Sequence, residues 1–227
     1  MALRWASELV GTALLVGLGT GTIVGAARIG GVPRWAMGAA WFFAVLIPMV
    51  LFIEVSGAHL NPAVTLALAE SGRTAWSEAP GYWLAQGGGA FLGSAGVLAL
   101  LGGGAHLGAT VPASGDLPRA FVAEAIFTAL LVAAVFRFAD SGEGRGRWRL
   151  LRPPAAVGLS TCLIRPWTGS SPNPARTLAP ALLSGTYPGL WVYPTTVPAA
   201  ALVVAAAWRP RSVDVKDRGP GRADARR

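Results

Sequence analysis

An internal duplication limits this chain to very few folds. The seven residues Asn-Pro-Ala-Val-Thr-Leu-Ala at 61–67 are matched by Asn-Pro-Ala-Arg-Thr-Leu-Ala at 173–179, an offset of 112. The stretch that begins at Glu8 is matched, at an offset of 116, by the stretch that begins at Glu124. Because the two offsets differ by no more than a short loop, the chain consists of two copies of one unit.

The composition predicts a membrane protein. Hydrophobic residues make up 53% of the chain and charged residues only 13%. Apolar runs come close to the ~20 residues that a membrane-spanning helix needs. The first run resembles a signal peptide, but its repetition in mid-chain predicts a retained first span. The six runs lie at roughly 5–27, 36–56, 80–103, 119–139, 150–167 and 189–208.

Three spans in each half is an odd number, so the second half must be inverted relative to the first. The segments 61–70 and 174–183 remain, and each is too short to cross a bilayer. Asn caps a helix start and Pro fits the first helical position, so each segment reads as a half-helix. Entering from opposite faces, the two would point their positive dipole ends at one interior point.

The sequence thus predicts an all-α membrane protein with six transmembrane helices, two re-entrant half-helices and an inverted internal repeat. It forms a single domain over 1–208, with one half at about 1–105 and the other at about 115–208.

The net charge of +8 is a topology signal. Basic residues that cluster in loops mark the cytoplasmic side, so we expect both termini in the cytoplasm and no nucleic-acid partner. The segment 209–227 reads as a basic, disordered tail. The clustered residues are Arg145, Arg147, Arg149 and Arg152 in one loop and Arg209, Arg211, Lys216, Arg218, Arg222, Arg226 and Arg227 in the tail.

The sequence offers no site for catalysis or for a metal. A single cysteine, Cys162, excludes an internal disulfide and a multi-cysteine metal site. No Ser/His pair, His-Glu-x-x-His sequence or carboxylate cluster places a nucleophile beside a base. We therefore expect no enzyme activity, no cofactor and no metal. The two acids within spans, Glu8 and Glu124, are either structural braces or a proton relay.

The segments Ser-Gly-Ala-His-Leu-Asn-Pro-Ala-Val-Thr at 56–65 and Asn-Pro-Ala-Arg-Thr-Leu-Ala-Pro-Ala at 173–181 together resemble the aquaporin (major intrinsic protein) family. The resemblance covers about 5–208 and includes Gln86. It implies that two motifs line the middle of a pore. The motif residues are Asn61, Pro62 and Ala63 with Asn173, Pro174 and Ala175.

The resemblance also implies further pore residues. Counting back without gaps from each motif gives a constriction, or selectivity filter, of Trp41, Thr161, Ser170 and Arg176. His59 is expected at the cytoplasmic mouth. Glu8 and Glu124 are expected to brace the re-entrant loops by accepting hydrogen bonds from their amides.

A member of this family would be a passive channel for water and small uncharged solutes, such as glycerol and metalloid acids, that excludes ions and protons. It would be a homotetramer in the bilayer, which we expect to pack through its Gly-rich helix faces. The composition hints at a bacterial inner (plasma) membrane protein. The alternative is an ion-coupled secondary transporter, which shares inverted repeats and broken helices.

The filter resembles two branches of the family at once. Trp41 resembles the glycerol-conducting branch, but the Asp and Lys which that branch carries after the filter Arg are Thr177 and Ala181 here. The run 173–191 looks more like the nodulin-type channels and their bacterial relatives. Three further departures are Pro172 before the second motif, Arg165 in the fifth span and Glu54 near the first loop.

Overall fold

The computed structural model describes residues 1–113, 116–140 and 147–208. The predicted tail, 209–227, lies outside the described residues. Within them the chain forms eight α-helices joined by short loops. They are α1 (Ala2–Arg28), α2 (Arg34–Ser56), α3 (Pro62–Glu70), α4 (Ala79–Leu101), α5 (Leu117–Ala139), α6 (Arg152–Thr168), α7 (Pro174–Ser184) and α8 (Val192–Ala207).

Six of these helices correspond to the predicted spans. Four of them, α1, α2, α4 and α5, are long and apolar enough to cross a membrane. The other two are shorter, with 17 residues in α6 and 16 in α8. At 1.5 Å per residue α6 is about 25 Å long.

Both short helices begin two or three residues later than the sequence predicts. Pro153 and Pro154 follow the first residue of α6, where missing amides are tolerated, and a 3₁₀ segment at Arg147–Leu151 precedes it. Before α8, Gly189 adopts a positive φ of 64° in a turn, so the helix begins only at Val192. Local turn chemistry therefore sets the start of each helix.

The contacts between helices repeat when the two halves are exchanged. In the first half α1 packs against α2 and α4, and in the second half α5 packs against α6 and α8. Across the halves, α2 contacts α6. The half-helix α3 packs on α8, and α7 packs on α4. The half-helix α3 is therefore held by α8 of the second half, and α7 is held by α4 of the first half. The two copies pack as a single unit.

Glycines allow α1 and α4 to touch backbone to backbone. A Cβ on Gly89 would lie 2.2 Å from the Leu9 carbonyl oxygen, and one on Gly93 would lie 2.4 Å from that of Ala13. No side chain fits at such distances. The face formed by Gly89 and Gly93 is thus occupied by α1 of the same protomer, so this part of the Gly-rich surface is not open to another subunit.

Candidate functional site

The two half-helices begin with the same capping arrangement. Asn61 and Asn173 have extended backbone and precede the Pro at the first helical position. The Asn61 Oδ1 accepts the amide of Ala63 at 2.9 Å, and the Asn173 Oδ1 accepts that of Ala175 at 3.1 Å. The amide of Arg176 also donates to Asn173, at 3.3 Å. Each asparagine therefore caps its own helix as the sequence predicts.

The same two side chains connect the half-helices to each other. The Asn61 Nδ2 donates to the carbonyl of Pro172 at 2.7 Å, and the Asn173 Nδ2 donates to the carbonyl of Leu60 at 2.9 Å. In each case the acceptor is the residue just before the opposite asparagine. The N-termini of α3 and α7 thus meet tip to tip. Because an amide NH₂ has two donors, each asparagine keeps one N–H beyond this bridge.

Both asparagines open onto a cavity with a volume of about 70 Å³. That volume accommodates a few water molecules. Most of its lining is apolar, and the polar groups in the lining are His59, Asn61, Asn173, Ser170 and Arg176. Among the residues that the structure describes, no aspartate or glutamate lines this cavity. The apolar lining includes Leu15, Val45, Met49, Val64, Leu68, Leu131, Val135 and Val157.

Arg176 and Trp41 both line the cavity, and they contact each other. The guanidinium carbon of Arg176 is 4.6 Å from the centroid of the Trp41 ring, and only 2% of Arg176 is exposed. The Arg176 Nε and the Trp41 Nε1 are buried and have no hydrogen-bond partner in the described part of the chain. Two buried donors are therefore free beside the cavity.

The loop between α4 and α5 positions the guanidinium. The Arg176 Nη1 donates to the carbonyl of Gly108 at 3.0 Å. Just before Gly108, the residues Ala105, His106 and Leu107 have positive φ angles of 46°, 51° and 54°. Such backbone costs energy in residues other than glycine and persists only where surroundings enforce it. The sequence pattern does not predict this contribution, and the glycines around the turn are its only signal.

Ser170 lines the cavity, and a second serine that the sequence pattern does not single out holds it in place. The Ser170 Oγ lies 2.6 Å from the Ser160 Oγ, and Ser160 is fully buried on α6. Thr161, the next residue of α6, is buried as well but is not among the described residues that line this cavity. The structure thus brings Trp41, Ser170 and Arg176 together around the cavity, whereas Thr161 is buried and does not line it in the described part of the chain.

His59 lies in the loop that leads to α3. Its ring lines the cavity and stacks on Tyr82, with 4.6 Å between the ring centroids. The His59 Nδ1 lies 3.1 Å from the hydroxyl of Thr65 on α3. The ring is thus held between α3 and α4.

Glu8 holds the first re-entrant loop by both of its carboxylate oxygens. Its Oε1 accepts the hydroxyl of Ser56 at 2.7 Å and the amide of His59 at 2.8 Å. Its Oε2 accepts the amide of Leu60 at 2.7 Å and the Gln86 side chain at 2.8 Å. Hydrogen bonds to an ionised carboxylate are about twice as strong as neutral ones, so this loop is firmly attached to α1.

Glu124 occupies the matching position in the second half but makes fewer bonds. Both of its oxygens accept the amide of Ser171, at 3.0 and 3.1 Å. The residue that corresponds to Leu60 is Pro172, which has no amide to donate. The departure noted at Pro172 therefore has a structural consequence, because it leaves this brace weaker than the one at Glu8.

The other two departures lie away from the cavity. Arg165 is in the last turn of α6, where a positive charge favours the helix dipole. Glu54 is exposed on α2. Neither is among the described residues that line the cavity.

Comparison with known proteins agrees with this geometry. The family profile described as Major intrinsic protein matches residues 2–206. Aquaporin NIP1-1 of Zea mays is 37% identical over 205 residues, which cover 89% of this chain and 71% of that protein. Aquaporin NIP1-3 of Oryza sativa subsp. japonica is 36% identical over 189 residues, which cover 82% of this chain and 66% of that protein.

A solved structure shares the whole arrangement of helices. The X-ray structure of the aquaglyceroporin from Plasmodium falciparum superposes with a TM-score of 0.81 at 25% identity. The match covers 92% of this chain and 95% of the other. It confirms the predicted fold of six spans and two re-entrant half-helices.

These similarities decide the class of the protein. Major intrinsic proteins are passive channels and not enzymes, which confirms the expectation that the chain has no catalytic activity. The apolar spans make it a multi-pass membrane protein. The chain therefore belongs to the major intrinsic protein family.

Proposed function

We propose that the protein conducts water and small uncharged hydroxylated solutes, such as glycerol and metalloid acids, and excludes ions and protons. The observation that carries this proposal is the reciprocal bridge between Asn61 and Asn173, where two helix N-termini meet beside a cavity. The remaining asparagine N–H groups offer hydrogen bonds to a passing oxygen.

Electrostatics supports the exclusion of cations. Each helix N-terminus carries the equivalent of roughly half a positive charge, and two of them face the same point here. Arg176 adds a full charge to the wall, and no carboxylate among the described lining residues offsets it. In aquaporin-type pores, selectivity comes from pore diameter, hydrogen-bonding groups and such electrostatic barriers.

The proposed filter consists of Trp41, Thr161, Ser170 and Arg176. Its chemistry is mixed, since the indole ring of Trp41 offers an apolar face, whereas Ser170 and Arg176 are polar residues that line the cavity. A polyol has both an alkyl backbone and hydroxyl oxygens, so it suits this wall as well as water does. A metalloid acid presents several hydroxyls to the same polar residues.

Three further residues take roles around the pore. We assign His59 to the cytoplasmic mouth, because it lines the cavity and its ring is fixed by Thr65 and Tyr82. We assign Glu8 and Glu124 to bracing the two loops, since the hydrogen bonds that they accept come chiefly from those loops. A proton relay would instead need their oxygens to face the cavity, which neither lines among the described residues.

We further propose a homotetramer in the plasma membrane, with one pore in each protomer and both termini in the cytoplasm. Large exposed side chains such as Leu84 and Leu100, at 79% and 84% exposure, must be covered by lipid or by another subunit. The arginines of the loop before α6 support the orientation.

Flux into proteoliposomes tests the proposed function against the alternative, an ion-coupled transporter. A channel predicts glycerol uptake that rises linearly with the gradient and is unaffected by a proton ionophore. Uptake that saturates and collapses with the ionophore would identify a carrier. Liposomes without protein supply the background rate.

A further inference from the structure

We infer that Gly19 of α1 is a specificity-determining residue. Because Gly19 has no side chain, the Trp41 ring can lie against α1, and this decides how far the ring stands back from the pore. This inference rests on the proposed function. Gly19 itself is not among the described residues that line the cavity, so it acts only through the indole.

The ring of Trp41 fills the place where a side chain on Gly19 would lie. A Cβ built on Gly19 would be 2.6 Å from Cη2, 2.7 Å from Cζ3 and 2.8 Å from Cζ2 of the indole. Ordinary van der Waals contacts are 3.4–4 Å. All three atoms belong to the far end of the six-membered ring, so a single methyl group would force the ring to move.

The direction of that movement follows from what surrounds the ring. On one side is α1, where Leu15, one turn before Gly19, lines the cavity. The Arg176 guanidinium carbon lies over the ring, 4.6 Å from its centroid. Because the cavity is the open space beside this otherwise buried ring, a ring displaced from α1 moves into the cavity.

The helix that carries Trp41 cannot retreat instead. Gly38, one turn before Trp41 on α2, is in close contact with α6, since a Cβ there would lie 2.8 Å from the carbonyl oxygen of Gly158. Likewise, a Cβ on Gly158 would lie 2.9 Å from the carbonyl oxygen of Gly38. The backbones of α2 and α6 thus already touch, and the side chain of Trp41 must absorb the shift.

Other glycines of α1 provide matched controls. A Cβ on Gly21 would make only an ordinary contact of 3.6 Å with Val97, and one on Gly25 would meet nothing within 4 Å. Replacing either by alanine raises helix propensity in the same way as at Gly19 without touching the indole.

The test measures glycerol and water permeability by stopped-flow light scattering in proteoliposomes, normalised to the amount of inserted protein. Gly19→Ala is expected to lower the glycerol-to-water ratio several-fold, whereas Gly21→Ala and Gly25→Ala leave it unchanged. Trp41→Phe removes the ring atoms that the new methyl group would strike. In the Trp41→Phe background, Gly19→Ala is therefore expected to have no further effect on the ratio.

Several outcomes would overturn the inference. The inference is wrong if the glycerol-to-water ratio of Gly19→Ala equals or exceeds that of Gly21→Ala. It is also wrong if Gly19→Ala still lowers the ratio in the Trp41→Phe background. If Gly19→Ala alone fails to assemble, recovery in the double variant supports the inference and continued failure contradicts it. A wild type without water or glycerol flux contradicts the proposed function, whereas a conducting wild type with an unresponsive ratio contradicts only the role of Gly19.

Discussion

Two buried donors define the chemistry of the pore wall at the scale of single residues. The Arg176 Nε and the Trp41 Nε1 lie beside the cavity without a partner in the described part of the chain. A buried donor left unsatisfied costs about 1–3 kcal/mol. The two residues that carry these donors line the cavity, so their side chains set the polarity of its wall.

Replacing Arg176 by alanine should weaken selectivity and leave conduction intact. The change removes the fixed charge and widens the gap beside Trp41, so we expect cations and larger solutes to leak. Conductance in planar bilayers and urea flux in proteoliposomes measure both effects.

Arg34→Ala is the matched control, since it removes the same charge from an exposed residue that does not line the cavity in the described structure. Equal leakage from the two variants, or none from either, would show that Arg176 does not form the pore wall.

The two re-entrant elements are attached with unequal strength. Glu8 accepts hydrogen bonds from Ser56, His59, Leu60 and Gln86. Glu124 accepts the Ser171 amide and also has a side-chain hydrogen bond with Thr168, but Pro172 lacks an N–H to match that of Leu60. The second loop compensates in part through its own hydroxyls, with Thr177 bonded to Ser171.

This asymmetry predicts that Glu8→Gln destabilises the protein more than Glu124→Gln. A glutamine has one acceptor oxygen, and its NH₂ would face the amides of His59 or Leu60, so a buried donor loses its acceptor at a cost of about 1–3 kcal/mol. Glu124→Gln can still accept the Ser171 amide. Thermal unfolding in detergent compares the two variants.

Bracing further predicts that the Glu8→Gln channels that do assemble keep a per-channel water permeability near that of the wild type. Equal destabilisation by the two variants would contradict the unequal braces. Loss of flux without loss of stability would point instead to a proton relay.

At the scale of the whole molecule, the sequence predicts the fold well because the duplication and the apolar runs act over long segments. Both half-helices begin where Asn61 and Asn173 cap them. What could not be predicted depends on packing between distant segments. The Gly108 carbonyl that holds Arg176 and the Ser160 hydroxyl behind Ser170 are of this kind.

One cluster joins distant parts of the molecule outside the spans. Arg73, in the loop after α3, donates to both oxygens of Asp140 after α5, at 2.8 and 3.0 Å. The Trp208 Nε1, just after α8, also donates to Asp140, at 2.9 Å. Partial burial would raise the pKa of Asp140, but these hydrogen bonds and the charges of Arg73 and Arg137 outweigh it and lower the pKa.

A lowered carboxyl pKa stabilises the fold above the ordinary Asp value of about 3.9, and the contribution is lost as the pH falls through the lowered value. Asp140→Asn should therefore cost up to about 1 kcal/mol at pH 7, as is usual for an exposed ion pair. Thermal unfolding of both proteins at pH 7 and near pH 3 measures the difference, which should shrink in acid. A difference that grows in acid would contradict this role of Asp140.

The central claim is that two opposed helix starts form a passive path for neutral molecules, and simultaneous recording of osmotic shrinkage and internal pH in the same proteoliposomes tests it most directly. Passive conduction through this junction predicts shrinkage much faster than in empty liposomes, with glycerol entry and no accompanying pH change. Shrinkage no faster than in empty liposomes, or glycerol entry that moves protons with it, would contradict the claim.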